Sequence, residues 1–150
     1  MKNYLVFDTI AISGIELCDI IKYDDRNLYL IHVKRGFDSS MRELYNQIIL
    51  SARRVEESKS SKDKEYLKKC FNALIKKNHG NSIDTFEKFI SLFELNIKYI
   101  MAFSNDRSNL AVEDQIEKIK SSIAKFSVIQ TSSEMRANYF ELLFAQIEHQ

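Results

Sequence analysis

Three polar residues in the opening third of the chain have the types and spacing for phosphate chemistry. Asp19 sits near the end of the apolar run 15–21 (IELCDII), and thirteen residues later the run 28–35 (LYLIHVKR) offers His32, Val33 and Lys34. With both runs as hairpin strands, alternation puts His32 and Lys34 on one face, so an acid, an imidazole and a lysine converge. The carboxylate and imidazole would hold a divalent cation, which polarises a phosphate oxygen and lowers the pKa of a water. The lysine would orient that water or steady the developing negative charge. That is the arrangement of a phosphodiesterase.

The neighbouring residues set the register. Ile31 and Val33 are expected to face the core, which leaves His32 and Lys34 on the polar side. Each member also has a plainer role: Asp19 as a hairpin cap, His32 and Lys34 as a solvent-facing pair. Asp24 and Asp25 read as turn residues. Cys18 and Cys70 sit among apolar residues and read as packing, His79 as a helix-end residue and His149 as part of the tail. The aromatics between Phe86 and Phe103 follow helix and strand periods without interleaved cations, so they are expected in the core and not as a base-stacking platform.

A sheet is needed to position the trio. Residues 4–12 (YLVFDTIAI) carry β-branched and aromatic side chains, Ser13-Gly14 turns the chain, 15–21 follows as a second strand, and a polar turn over 23–27 leads into 28–35 as a third. The expectation is a three-stranded antiparallel meander ended by Gly36. Ser40 with Glu43 three residues on is a capping box, and Met41, Leu44, Ile48, Ala52 and Val55 predict a helix with one apolar stripe against the sheet. Leu67, Cys70, Phe71, Leu74 and Ile75 predict a second helix capped near Asn78-His79-Gly80. Ile83, Phe86, Ile90 and Phe93 predict a third, short one. Residues 95–104 read as a strand inside the sheet, 112 to about 139 as a helix broken near Thr131-Ser132-Ser133, and 142–147 as a last strand. The expected fold is thus a single α/β domain over 1–150, in which one mixed sheet joins the meander to strands returned by helical crossovers.

Asp19, the HVK of LYLIHVKRG and the helix after it resemble the PD-(D/E)xK, or restriction-endonuclease-like, nuclease superfamily. The resemblance implies a restriction-endonuclease-like core, Asp19 as the metal-binding aspartate, Lys34 as the catalytic lysine, and His32 where the second metal-binding acid normally stands. It implies Mg²⁺ or Mn²⁺ as cofactor, and Gln47 resembles the glutamine that some of these nucleases carry on the next helix. Asp8 or Glu16 are candidates to replace the missing acid, although Glu16, three residues from Asp19, is expected on the opposite face. The segments IELCDII, LYLIHVKRG, SSMRELYNQIILSA and LLFAQI are similar to the C-terminal part of a longer, sporadically distributed bacterial family with an IHVKR strand. That occurrence implies a link to phage defence or mobile elements.

Composition narrows the partners. With 22 basic and 21 acidic residues the net charge is +1, so any contact with a nucleic acid must be local. Lys34, Arg35, Arg42 and Gln47 are the expected contacts to a nucleic-acid backbone, DNA before RNA. Two cysteines make no disulfide framework, no run is long enough for a membrane span, and the chain reads as cytoplasmic. The expected activity is metal-dependent phosphodiester hydrolysis. The alternative is a catalytically degenerate nuclease fold that binds nucleic acid or protein, with a homodimer or a larger defence complex as the assembly. No exposed apolar stripe demanding a dimer is visible in the sequence.

Overall fold

A computed structural model describes residues 3–36, 39–77, 83–104 and 122–147. Its elements are β1 (Tyr4–Val6), β2 (Ala11–Ile12), β3 (Ile15–Glu16), β4 (Ile20–Tyr23), β5 (Asn27–Arg35), α1 (Met41–Ser60), α2 (Glu65–Lys77), α3 (Phe86–Ser91) with a 3-10 turn over Leu92–Glu94, β6 (Asn96–Ser104), α4 (Ser122–Ala137) and β7 (Glu141–Ile147). Five strands form one mixed sheet in the order β1-β4-β5-β6-β7, and β2 and β3 form a separate hairpin. The pairs β1/β4 and β4/β5 are antiparallel, while β5/β6 and β6/β7 are parallel. The expected α/β class and mixed sheet are thus found.

The meander differs from expectation in one respect that matters for the site. The first two expected strands are each broken, and the end of the first and the start of the second leave the sheet as the β2–β3 hairpin. Ser13 (φ 54°) and Gly14 (φ 77°) at its tip both lie in the left-handed region, as a two-residue hairpin turn with the right twist requires. Leu17 and Cys18, between β3 and β4, are buried, and the Ser51 hydroxyl of α1 donates to the Leu17 carbonyl at 2.5 Å.

Helix α1 packs on β5 and β6, and α4 lies beside it on β7. The predicted α1 stripe of Met41, Leu44, Ile48, Ala52 and Val55 is fully buried. Tyr45 and Arg53 of α1 both donate to the Glu134 carboxylate of α4. In α2, Leu67, Cys70, Phe71 and Leu74 are buried as expected, but Ile75 points outward. Phe7, Phe71, Phe86, Phe89 and Phe93 form a chain of ring contacts, and Phe93, Tyr99 and Phe103 are buried, so the aromatic segment is core.

Three local expectations need correction. Ser40 stands at the α1 N-cap but makes no side-chain cap bond, and Glu43 reaches Lys34 instead, so no capping box forms. Helix α4 runs unbroken through Thr131-Ser132-Ser133, because the Ser127 and Thr131 hydroxyls donate to carbonyls one turn back. The strand register of β5 is inverted: Leu28, Leu30 and His32 face the helices, and Ile31 and Val33 face away. The expected cap at 78–80, the helix before residue 122, His79 and His149 lie outside the described residues. Among the described residues no helix is long and apolar enough to cross a membrane.

Candidate functional site

The end of β5 gathers the chemistry. Asp19, just before β4, is pinned from both sides: its N–H donates to Ile31 at 2.9 Å, and its carbonyl accepts from Phe7 at 2.7 Å and Asp8 at 3.0 Å. The carboxylate oxygen Oδ2 accepts the Val33 N–H at 2.5 Å, so the side chain is held over the end of β5. Burial raises the Asp19 pKa above the usual carboxylate value. The Val33 N–H and the Lys34 charge pull it down, and Asp8 pushes it up.

Lys34 shares the inner face of β5 with His32, as alternation requires, and Nζ lies 2.7 Å from Glu43 Oε2 in the first turn of α1. One turn further, the Gln47 amide donates to Glu16 Oε2 at 3.5 Å. Glu16, at the end of β3, is raised by burial first, then by Asp19, Asp8 and Glu43, with Lys34 opposing. Four carboxylates therefore share a field with one lysine. Asp8 belongs to a loop whose next residue, Thr9, sits at φ 66°, an outlier for a β-branched side chain. Lys77 at the end of α2 fixes that loop by donating to the Asp8 carbonyl and, at 2.9 Å, to the Thr9 hydroxyl.

Asp19, Lys34 and Gln47, all expected at the site, are brought together. His32 belongs elsewhere. It is 1% exposed, its Nε2 has no hydrogen-bond partner, and burial lowers its pKa to about 3, so it is a neutral core side chain. The expectation that it faces the polar side fails because both phases of LYLIHVKR are apolar enough to be the inner one.

Glu16 is the residue that strand counting missed. The chain leaves the β2–β3 hairpin at Glu16 and enters β4 at Ile20, so alternation does not carry from one acid to the other. Its signal was the Ser13-Gly14 turn, which marks a hairpin too short to run on into Asp19. Arg35 and Arg42 are exposed and make no ion pair among the described residues, whereas Arg53, Arg54 and Lys69 are paired with acids. Cys18 and Cys70 are buried, which pushes the Cys70 thiol up to about 12 and the Cys18 thiol up as well, so neither is a nucleophile.

Among the described residues no group of three or more His, Cys, Asp or Glu is placed to hold a metal ion. Mg²⁺ asks for less: it commonly keeps several waters and takes one or two carboxylates together with substrate phosphates. Asp19 and Glu16, both raised by burial and crowding of negative charge, form a donor pair of the right chemistry for such a hard cation. His32 does not fit it. No protein-family model matches the chain, and neither the curated proteins nor the solved structures contain a match to it.

Proposed function

We propose that this protein is a metal-dependent nucleic-acid phosphodiester hydrolase in which Glu16, and not His32, is the partner of Asp19. The observation that carries the reading is the convergence of Asp19, Glu16, Lys34 and Gln47 near the end of β5, from the β3–β4 connection, β5 and α1. Asp19 and Glu16 would hold a divalent cation, which when bound supplies polarisation of a phosphate oxygen and a water of lowered pKa. Lys34 orients the attacking water and steadies negative charge on the phosphate. Glu43 keeps Lys34 at the mouth of the site, and Gln47 fixes the Glu16 carboxylate. Arg35 and Arg42 attract the phosphate backbone.

The test is cleavage of labelled single- and double-stranded DNA and RNA with Mg²⁺ or Mn²⁺, comparing the intact protein with Lys34→Ala and Glu16→Gln. Metal-dependent cutting that both replacements abolish supports the reading. No cutting by a folded intact protein overturns it. A second reading, a non-catalytic module on the same fold, is favoured by the occupation of Lys34 by Glu43. It predicts nucleic-acid or protein binding that survives Lys34→Ala.

A further inference from the structure

The inverted register of β5 has a counterpart on the far side of the sheet. Val6, Ile20, Ile31, Ile100 and Leu143 stand in register across all five strands, on the face turned away from the helices. Val33, Ala102 and Ala145 form a second row beside them, with Ile147 beyond. None of these residues packs in the cluster under the helices; Ala102, in the middle of the sheet, is buried, and Ile20, Ile31, Val33, Ile100 and Ala145 are half-buried. Val6 is 40% exposed, Leu143 38% and Ile147 37%. Parallel strands are almost always covered on both faces, and strands apolar in both phases are their mark. Here β5, β6 and β7 carry that mark, and among the described residues the helices pack against one side only.

We propose that this outer face is the interface of a two-fold dimer, sheet against sheet, between two copies of the chain. Charge distribution favours a second copy. The central rows carry no charge, while Lys22, Lys98 and Glu141 lie in register at one end, the last two as an ion pair at 3.1 Å, and Arg35 stands at the other end in register with Ile147. A neutral centre with rim charges of both signs is self-compatible, and the rows that would be buried give a polyanion no cation to bind. Size favours it as well. Strands of 3, 4, 9, 9 and 7 residues, about 4.8 Å apart and about 3.3 Å per residue, span roughly 500 Å² in plane. Side-chain relief raises that towards the ~800 Å² per partner of a standard stable interface. The Val33–Ala102–Ala145 row is narrow enough for two sheets to approach to the usual ~10 Å. Asp19 and Lys34 are anchored on the β5 end and the helix side, so both sites stay open in such a dimer.

Light scattering on the eluting full-length protein over a concentration series tests this. The expected result is a species of twice the chain mass at micromolar concentration. Leu143→Glu with Ile147→Glu, both on the edge strand, should remove it while leaving the far-ultraviolet dichroism unchanged. Leu50→Glu, at an equally exposed apolar position on α1 (46%), should not. Should the double variant fail to fold, hydroxyl-radical footprinting of the unaltered protein serves. Leu143 and Ile147 should become protected as concentration rises, and Phe126, 65% exposed on α4, should stay reactive. A monomer at every concentration, a dimer that survives the double variant, or equal reactivity at both concentrations overturns the proposal in favour of a cover from the same chain or another protein.

Discussion

Two aspartates flank β4, and their surroundings push them in opposite directions. Asp24, in the exposed turn, accepts from the Arg26 and Asn27 N–H groups at 2.8 Å each and from the Tyr29 hydroxyl at 3.0 Å. Those bonds lower its pKa to about 2. Asp19, at the other end, has one backbone donor and a partly buried carboxylate whose pKa is raised chiefly by desolvation. A saturated carboxylate is finished as a turn; an undersatisfied one among like charges retains capacity for a cation. The difference separates a structural acid from a chemical one of the same residue type.

The largest effect expected is from Asp19→Asn. Cleavage should fall at least about a hundredfold, the lower end of what a directly acting acid-base or metal-holding group contributes. Stability at neutral pH should hold or rise. A carboxyl whose folded pKa is raised contributes stability below its unfolded pKa and loses it as pH rises through the folded value, so the ionised Asp19 is held at a cost. A melting curve and a cleavage assay on one preparation decide it, and parallel loss of stability and activity would make Asp19 another Asp24.

His32→Leu comes next, and should do the reverse. Removing a buried Nε2 without a partner should stabilise the fold by roughly 1–3 kcal/mol. His32 is neutral when folded, with a pKa near 3 against 6.5 unfolded, so below about pH 6.5 the unfolded chain takes up a proton that the folded one refuses. The variant should therefore lose part of the acid sensitivity between pH 6.5 and 3, and keep metal-dependent cutting. Loss of cutting with the fold intact would return the metal to His32.

His32 also shows where the sequence stops being readable. The helix stripes were legible because an α1 face of Met41, Leu44, Ile48, Ala52 and Val55 has only one apolar phase. In β5 the two phases, Leu28-Leu30-His32 and Tyr29-Ile31-Val33, differ by one polar ring, and a one-residue choice turns every side chain over. Packing of α1 on β5 and β6 settles it, burying Leu30 and Tyr99, and that is tertiary information. Lys34 and Gln47 were legible because each lies in an element whose type was clear, and Asp19 because it directly precedes one. Glu16 was not, because Leu17 and Cys18 bend inward to the core between β3 and β4. The apolar outer face escapes for the same reason as His32: the expected register turns Ile31 and Val33 to the interior.

Asp24→Ala tests the other half of the comparison, with a smaller effect. It removes the acceptor of four donors in the turn, so the melting temperature should fall at neutral pH while cutting per folded molecule is unchanged. A carboxyl with a depressed folded pKa contributes stability above its unfolded value of about 3.8 and loses it as pH falls through the folded value. The deficit should accordingly shrink as pH falls from about 4 to 2, and a deficit that persists at pH 2 would mean that the turn depends on the shape of Asp24 and not on its charge.

The smallest change expected is from Glu43→Gln. The Lys34–Glu43 pair is exposed on the Glu43 side, so its loss should hardly move the melting temperature. Its electrostatic effect falls on the site. Glu43 is one of the charges that raise Glu16, and removing it should let the Glu16 pKa fall. The acid limb of the pH–rate profile should then move to lower pH, because the carboxyl that must be ionised ionises earlier. A limb that moves to higher pH would mean that Lys34, released from Glu43, no longer supports Glu16. A melting temperature that drops as far as with Asp24→Ala would place Glu43 with the structural acids.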